Sequence, residues 1–395
     1  MINNLPSGWS SSQLSDKRFI IKYGKANPKK SGKIPVIGSS GIFSHTDQPL
    51  VNPPVIIIGR KGNAGSVQFI KEPCWASDTT FYIKILSEDV DYFYLYYLLE
   101  KNKRSRTSTQ TTLPSLSLTD FYKEKLNIPP LVEQRGIAEV LGTVDEAIRR
   151  TDAVIEKAEE LKRGLMQRLL TRGIGHTEFK QTELGEIPKT WEVKKIQDIY
   201  DKPQYGYTAS ANEKPIGPKF LRITDIQDGE VNWKNVPYCD SKNDDVSAYY
   251  LRKNDLVFTR TGATTGKSYL ITTNPDAIFA SYLIRIKSNS GTDPVYLSSF
   301  FNSEIYWKQI NQKRVGSAQG GVNASTLSSI KLPLPPFNEQ IRISSIINEV
   351  ENKIKIEKLE KKQLEEIKRG VIQILLSGKV RVELREDGLH RIGDG

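Results

Sequence analysis

The longest regular pattern of apolar positions in the chain runs through Ile137, Leu141, Val144, Ile148, Thr151, Ile155 and Ala158, in alternating steps of four and three. That spacing keeps one apolar seam along a helix and predicts a coiled-coil rod. Pro129-Pro130 precedes it; a double proline cannot continue a helix but suits its first position. About forty residues at ~1.5 Å each make a rod on the order of 60 Å long.

The same stretch returns once. Sliding the sequence by 206 positions, without a gap, lays Pro129-Pro130 on Pro335-Pro336, Glu133-Gln134 on Glu339-Gln340, and Lys162-Arg163-Gly164 on Lys368-Arg369-Gly370. The chain is therefore a duplication. In the second copy the seam holds at Ile343, Ile347, Val350 and Ile354, loosens at Glu357 and Lys361, and resumes at Leu364, Val371 and Leu375. A glycine inside a helix costs about 1 kcal/mol relative to alanine. Its presence at both Gly164 and Gly370 suggests a close crossing of the two backbones, a local break in each helix being the alternative.

Shorter patterns fill the segments before each rod. In residues 1 to 128, IPVIGSSGIF, PPVIIIGR and TTFYIKI are apolar runs punctuated by Gly, Pro and Asp, and they predict short strands. DYFYLYYLLEKN predicts one helix whose tyrosines, interleaved with leucines, belong to a core rather than to base-stacking platforms. The polar segment Lys101 to Leu118 reads either as a solvated loop or as a nucleic-acid contact. The second half restarts at Glu186–Trp191, echoing Asn4–Trp9. DLVFTRTGATTGKSYLI then matches PVIIIGRKGNAGSVQFI, with Arg260 over Arg60 and Gly262 over Gly62, and Lys313 to Thr326 stands where the first polar loop stood. The two segments share a plan and differ at nearly every polar loop position, as two readers of different sequences would.

Charge adds a partner. The 395 residues carry a formal net charge of +11, yet the two repeats are close to neutral, so the surplus lies on the segments between them. That distribution points to a polyanion, nucleic acid before membrane. Two cysteines and three histidines cannot make a recurring metal cluster. No secretory leader and no run of eighteen apolar residues is present, so a soluble, cytoplasmic protein is expected. GATTGKS at Gly262 to Ser268 resembles a phosphate-binding loop but has three residues between its glycines where four are required, and a tight turn explains it. Asn52-Pro53-Pro54-Val55 lacks the aromatic that an amino-methyltransferase box would stack on a flipped base. No nucleophile-and-base set or strand-borne carboxylate cluster stands out.

If the two seams pair, the second helix must run back along the first. The fold class expected is therefore α+β: two similar mixed α/β domains at opposite ends of a pair of long antiparallel coiled-coil helices, related by an approximate two-fold axis. Each domain would read one part of a split DNA site, with the rod setting the gap.

The order of variable domain, PPLVEQ start with long helix, second variable domain, and PPFNEQ start with long helix closely resembles the specificity subunits of type I restriction-modification systems. IPKTW at Ile187 to Trp191, and LKRGLMQRLLT against IKRGVIQILLS, carry the likeness across essentially the whole chain. The resemblance implies target-recognition domains at residues 1–128 and 176–334, long helices at 129–175 and 335–378, and a C-terminal tail at 379–395. It implies a non-catalytic DNA-recognition subunit that binds an asymmetric bipartite site. The helices would dock two modification subunits that hold S-adenosylmethionine and methylate adenine, and restriction subunits using ATP and Mg²⁺ would join them. No cofactor would be bound by this chain itself. Pro130, Glu133, Gln134, Pro336, Glu339 and Gln340 are the expected partner-binding residues. Arg60, Lys61, Lys103, Arg104, Arg106 and Gln110 should touch DNA in the first domain, and Arg260, Lys267, Lys313, Arg314, Gln319 and Asn323 in the second. Two other classes compete with this reading, a stand-alone nuclease or methyltransferase and a coiled-coil scaffold unrelated to DNA.

Overall fold

The computed structural model describes residues 5–28, 31–102, 115–227, 229–241, 244–287, 291–315, 321–384 and 390–394. They divide into two compact units, the first made of residues 1–153 and 358–395 and the second of residues 154–357.

In the first unit the all-apolar run Val55–Gly59 becomes the inner strand of a four-stranded antiparallel sheet, flanked by Thr80–Ile85 and Val67–Ile70, with Phe19–Tyr23 at the edge. A strand buried on both faces needs apolar residues at every position rather than at alternate ones. Ile56 and Ile58 face the main core with Phe81 and Ile83, while Val55 and Ile57 face a smaller cluster with Ile37, Val51, Cys74 and Ala76. A three-stranded sheet of Gly41–Thr46, Ile34–Gly38 and Trp75–Ala76 accompanies it. The tyrosine-rich segment is the helix Tyr92–Lys101, capped by Asp91, with Tyr94, Leu95, Tyr97, Leu98 and Leu99 buried. It is a core helix, as its leucine spacing predicts.

The first long helix, Leu131–Arg172, begins in this unit, and the second, Phe337–Leu375, ends in it. Here Lys368 meets Asp145 at 2.8 Å and Lys361 meets Asp152 at 2.7 Å, so advancing along one helix retreats along the other and the segments are antiparallel. Lys361 is where the apolar seam loosens, and an ion pair takes the place of the missing apolar contact. The expected close crossing at the glycines is not found. A methyl group built on Gly370 would meet nothing within 4 Å. In the C-terminal tail Val380–Leu384 pairs antiparallel with His390–Asp394, and Val382 joins the unit's core.

The second unit repeats the four-stranded plan with Gln204–Tyr205, Leu283–Ile286, Leu256–Thr259 and Ser268–Leu270 in the same order. A second sheet of Ala211–Asn212, Tyr238–Cys239, Lys219–Leu221 and Ala277–Phe279 replaces the smaller sheet of the first unit. Pro294–Phe301, capped by Asp293, replaces the tyrosine-rich helix. Arg285 is buried and ties the short Gln204–Tyr205 strand in place, donating to Gln204, to the carbonyls of Tyr250 (2.6 Å) and Ala248 (2.7 Å), and to Asp255 (3.2 Å). Lys162 meets Glu351 at 2.6 Å, and Met166, Leu169 and Leu170 share a core with Ile343 and Ile347. Gly164, like Gly370, faces open space.

Candidate nucleic-acid interface

Both apolar inner strands end in a tight glycine turn. Gly59 donates to Ser66 at 2.8 Å and accepts from Gly65 at 2.8 Å; Thr259 donates to Lys267 at 2.9 Å and accepts from Gly266 at 2.9 Å. Gly62 and Gly262 have φ of 73° and 84°, a conformation in which a Cβ would be strained. The lysine of GATTGKS therefore lies on a hairpin turn, and the matching turn of the other unit has no lysine after its second glycine, Gly65 being followed by Ser66.

An arginine opens each turn, and each lies over an aromatic ring. The Arg60 guanidinium is 4.9 Å from the centre of the Tyr23 ring, and that of Arg260 is 5.0 Å from the centre of the Tyr205 ring. Backbone bonds fix both arginines in the same way. Arg60 donates to Thr79 (2.8 Å) and accepts from Leu116 (2.9 Å); Arg260 donates to Tyr282 (3.0 Å) and accepts from Val322 (3.0 Å). Leu116 and Val322 lie in the C-terminal parts of the polar segments Lys101 to Leu118 and Lys313 to Thr326, so each arginine is bonded to the segment expected to contact DNA. Lys61 and Lys267 are exposed on the same turns, and among the described residues no carboxylate lies in ion-pair range of these four cations. They are able to meet phosphates, and the arginines also base edges.

Lys313 is exposed near the end of the helix Glu304–Val315. Asn323 caps the helix Ala324–Ser328, its Oδ1 accepting from the Thr326 amide (2.7 Å) and hydroxyl (3.0 Å), which leaves its NH₂ as the group that can donate to a base. Lys103, Arg104, Arg106, Gln110, Gln319 and the side chain of Arg314 lie outside the described residues.

The six residues expected to meet partners divide sharply. Gln134 and Gln340 are 0% and 1% exposed. Gln134 accepts from the Asp91 amide (2.8 Å) and donates to the carbonyls of Asp89 and Pro129 (both 2.8 Å). Gln340 accepts from the Asp293 amide and donates to the Pro335 carbonyl (both 2.9 Å). Glu133 accepts from Trp9 (3.1 Å) and from two nitrogens of Arg381 (both 2.7 Å). Glu339 accepts from Trp191 (3.0 Å) and the Ile174 amide (3.0 Å) and lies 2.8 Å from His176 Nε2. These four side chains hold each helix start to its own unit, and only Pro130 and Pro336 present exposed surface.

Sequence reading had the arginines but missed the tyrosines beneath them, and it saw both tryptophans without their carboxylates. The latter were findable, since each Trp recurs in step with a Glu-Gln pair. Cys74 and Cys239 are buried free thiols, and burial together with Glu72 pushes Cys74 up to about 11. Among the described residues, no cluster of His, Cys, Asp and Glu could hold a metal, and no helix is long and apolar enough to cross a membrane.

The sequence profile of the family described as Type I restriction modification DNA specificity domain matches residues 6–160 and 188–366. The chain is 28% identical over 341 residues to the type I restriction enzyme MjaVIII specificity subunit of Methanocaldococcus jannaschii, covering 83% of this chain and 79% of that protein. It is 24% identical over 357 residues to the EcoBI specificity subunit of Escherichia coli, covering 82% and 74%. The crystal structure of a type I restriction-modification S subunit from M. genitalium superimposes with a TM-score of 0.62 at 16% identity, covering 94% of this chain and 97% of that one.

Proposed function

The chain belongs to the type I restriction-modification DNA specificity family, and from that premise we propose that its two units each bind one part of an asymmetric, bipartite DNA site. The protein is a specificity subunit, a DNA sequence-recognition component without a catalytic site of its own. Family membership favours this reading over the stand-alone enzyme and the unrelated scaffold. The observation that carries the two-reader proposal is the recurrence, in each unit, of an arginine seated on a tyrosine at the foot of a polar loop. In a cytoplasmic assembly, two modification subunits would hold S-adenosylmethionine and methylate adenine within the site, and restriction subunits would bring ATP and Mg²⁺.

Docking of the modification subunits is best supported along the outer faces of the long helices. Leu161 and Ile367 occupy equivalent positions, are 55% and 53% exposed, and each lies three residues before an open glycine. One apolar side chain beside a glycine lets a partner helix approach closely.

The test uses the chain assembled with its modification subunits and DNA carrying the mapped methylation site. Charge reversal at Arg104 and Arg106 should weaken binding and flatten its dependence on salt. The purified chain given DNA, Mg²⁺ and S-adenosylmethionine should neither cut nor methylate. Activity without partners would overturn the proposal.

A further inference from the structure

We infer that Tyr23 and Tyr205 are positioning residues, each holding the guanidinium of Arg60 or Arg260 ready for DNA, one pair for each part of the site. The inference rests on the recognition function proposed above and goes beyond it by naming what orients the arginines.

The strand register makes the two pairs equivalent. Tyr23 lies opposite Phe81, which lies opposite Ile58, two residues before Arg60. Tyr205 lies opposite Ile284, which lies opposite Phe258, two residues before Arg260. A period of two brings each arginine to the sheet face on which its tyrosine stands. The other contacts of the tyrosines differ between the units. Tyr23 ends a five-residue strand and packs edge-on against Phe81, whereas Tyr205 ends a two-residue strand and accepts the Ala324 amide on its hydroxyl. The feature common to both is the stacked guanidinium.

The rings are also poorly placed to be core residues, being 48% and 39% exposed. Arg60 and Arg260 are half-buried, and an arginine left to sample many rotamers would have to be ordered at the moment of binding, which weakens association. A ring beneath the guanidinium does that ordering in advance, helped in the first unit by a bond from Arg60 Nη1 to the Asp78 carbonyl at 3.2 Å, and the remaining N–H groups can donate to phosphate or guanine. Duplex DNA is the ligand to which this geometry corresponds.

The experiment measures affinity of the assembled methyltransferase for a fluorescent duplex carrying its site, across a salt series. Tyr23→Phe keeps the stack and should bind within about twofold of the native complex. Tyr23→Ala and Tyr23→Leu should each bind about 2- to 5-fold more weakly, the leucine variant keeping apolar cover so that the loss is not one of folding. Arg60→Ala should lose about 5-fold or more and lower the salt slope by about one. The Tyr23→Ala/Arg60→Ala double variant should bind no more weakly than Arg60→Ala alone, since the tyrosine acts through the arginine. The corresponding variants at Tyr205 and Arg260 should behave alike. Losses that multiply in the double variant, or tyrosine variants that bind normally while Arg60→Ala does not, overturn the positioning role and leave the recognition function standing. A native complex that binds its site without salt dependence overturns both.

Discussion

Trp9 donates its indole N–H to Glu133 at 3.1 Å, although 123 residues lie between them, and this bond fixes the start of the first long helix against its own domain. Arg381, from the C-terminal hairpin, grips the same carboxylate with two nitrogens. The second unit builds its counterpart from Trp191, Glu339 and His176. In each unit a residue from beyond the end of one long helix closes on the first turn of the other.

Glu133→Ala should therefore destabilise the first unit. The carboxylate is almost fully buried, and its loss strands an indole N–H and a bidentate guanidinium. Hydrogen bonds to charged groups are worth about 1.5 to 3 kcal/mol each, and an unpaired partner adds to the cost. A loss of about 3 kcal/mol is expected in urea denaturation. Removing residues 379–395 should lower the same transition. An unchanged midpoint in the alanine variant would show that the clasp is decorative.

Lys368 gives a pH signature. Burial works against its charge, but Asp145 at 2.8 Å and Glu100 at 3.1 Å outweigh that and hold its pKa above the usual lysine value. A raised folded-state pKa means that the stabilisation is complete below the unfolded value, about 10.4, and is lost as pH rises through the folded value. Lys368→Met should be less stable than the native chain at pH 7, and the gap should narrow as pH climbs above about 10.4. Thermal melts of both proteins between pH 7 and 11.5 check this, and a constant gap would remove the ion pair as its cause.

Gly164→Ala and Gly370→Ala should each stabilise the isolated chain by about 1 kcal/mol, because both positions are helical and a Cβ would enter open space. Differential scanning calorimetry reads the gain directly. A loss of stability would mean that the backbones do approach one another there.

The glycines show where sequence stops informing. Equivalence across 206 positions made them conspicuous, but a repeat reveals that a position matters to both copies, not what faces it. The long helices, the apolar strands and the tyrosine-rich helix were legible because period and burial agree along many residues. The Glu-Gln pairs were legible as important and misleading in direction. The family resemblance implied a partner for them, yet here the glutamines satisfy backbone groups of Asp89, Asp91 and Asp293 and the glutamates accept from Trp9 and Trp191, each within the same unit. Tyr23 and Tyr205 left no trace, since each meets an arginine that only strand pairing brings near. Lys361 looked like a flaw in the seam and is instead an ion pair with Asp152.

Leu161 and Ile367 put the docking proposal at risk most directly. Both are large apolar side chains held in water on the outer faces of helices, and neither contributes to the hydrophobic cores of its unit. Leu161→Asp and Ile367→Asp should therefore leave the chain's own melting temperature within the range of ordinary surface substitutions, about 0.5 kcal/mol. Assembly is different. Burying an aspartate against a partner's apolar surface costs far more than it returns, so each variant should weaken binding of a modification subunit by at least about tenfold, roughly 1.4 kcal/mol. If the proposal is right, each single variant should retain one modification subunit and the double variant should bind neither with native affinity, which analytical ultracentrifugation resolves as stepwise loss of mass. Complexes of full mass in the double variant would move the docking surface elsewhere. The exposed Pro130 and Pro336 at the helix starts would then be the next positions to substitute.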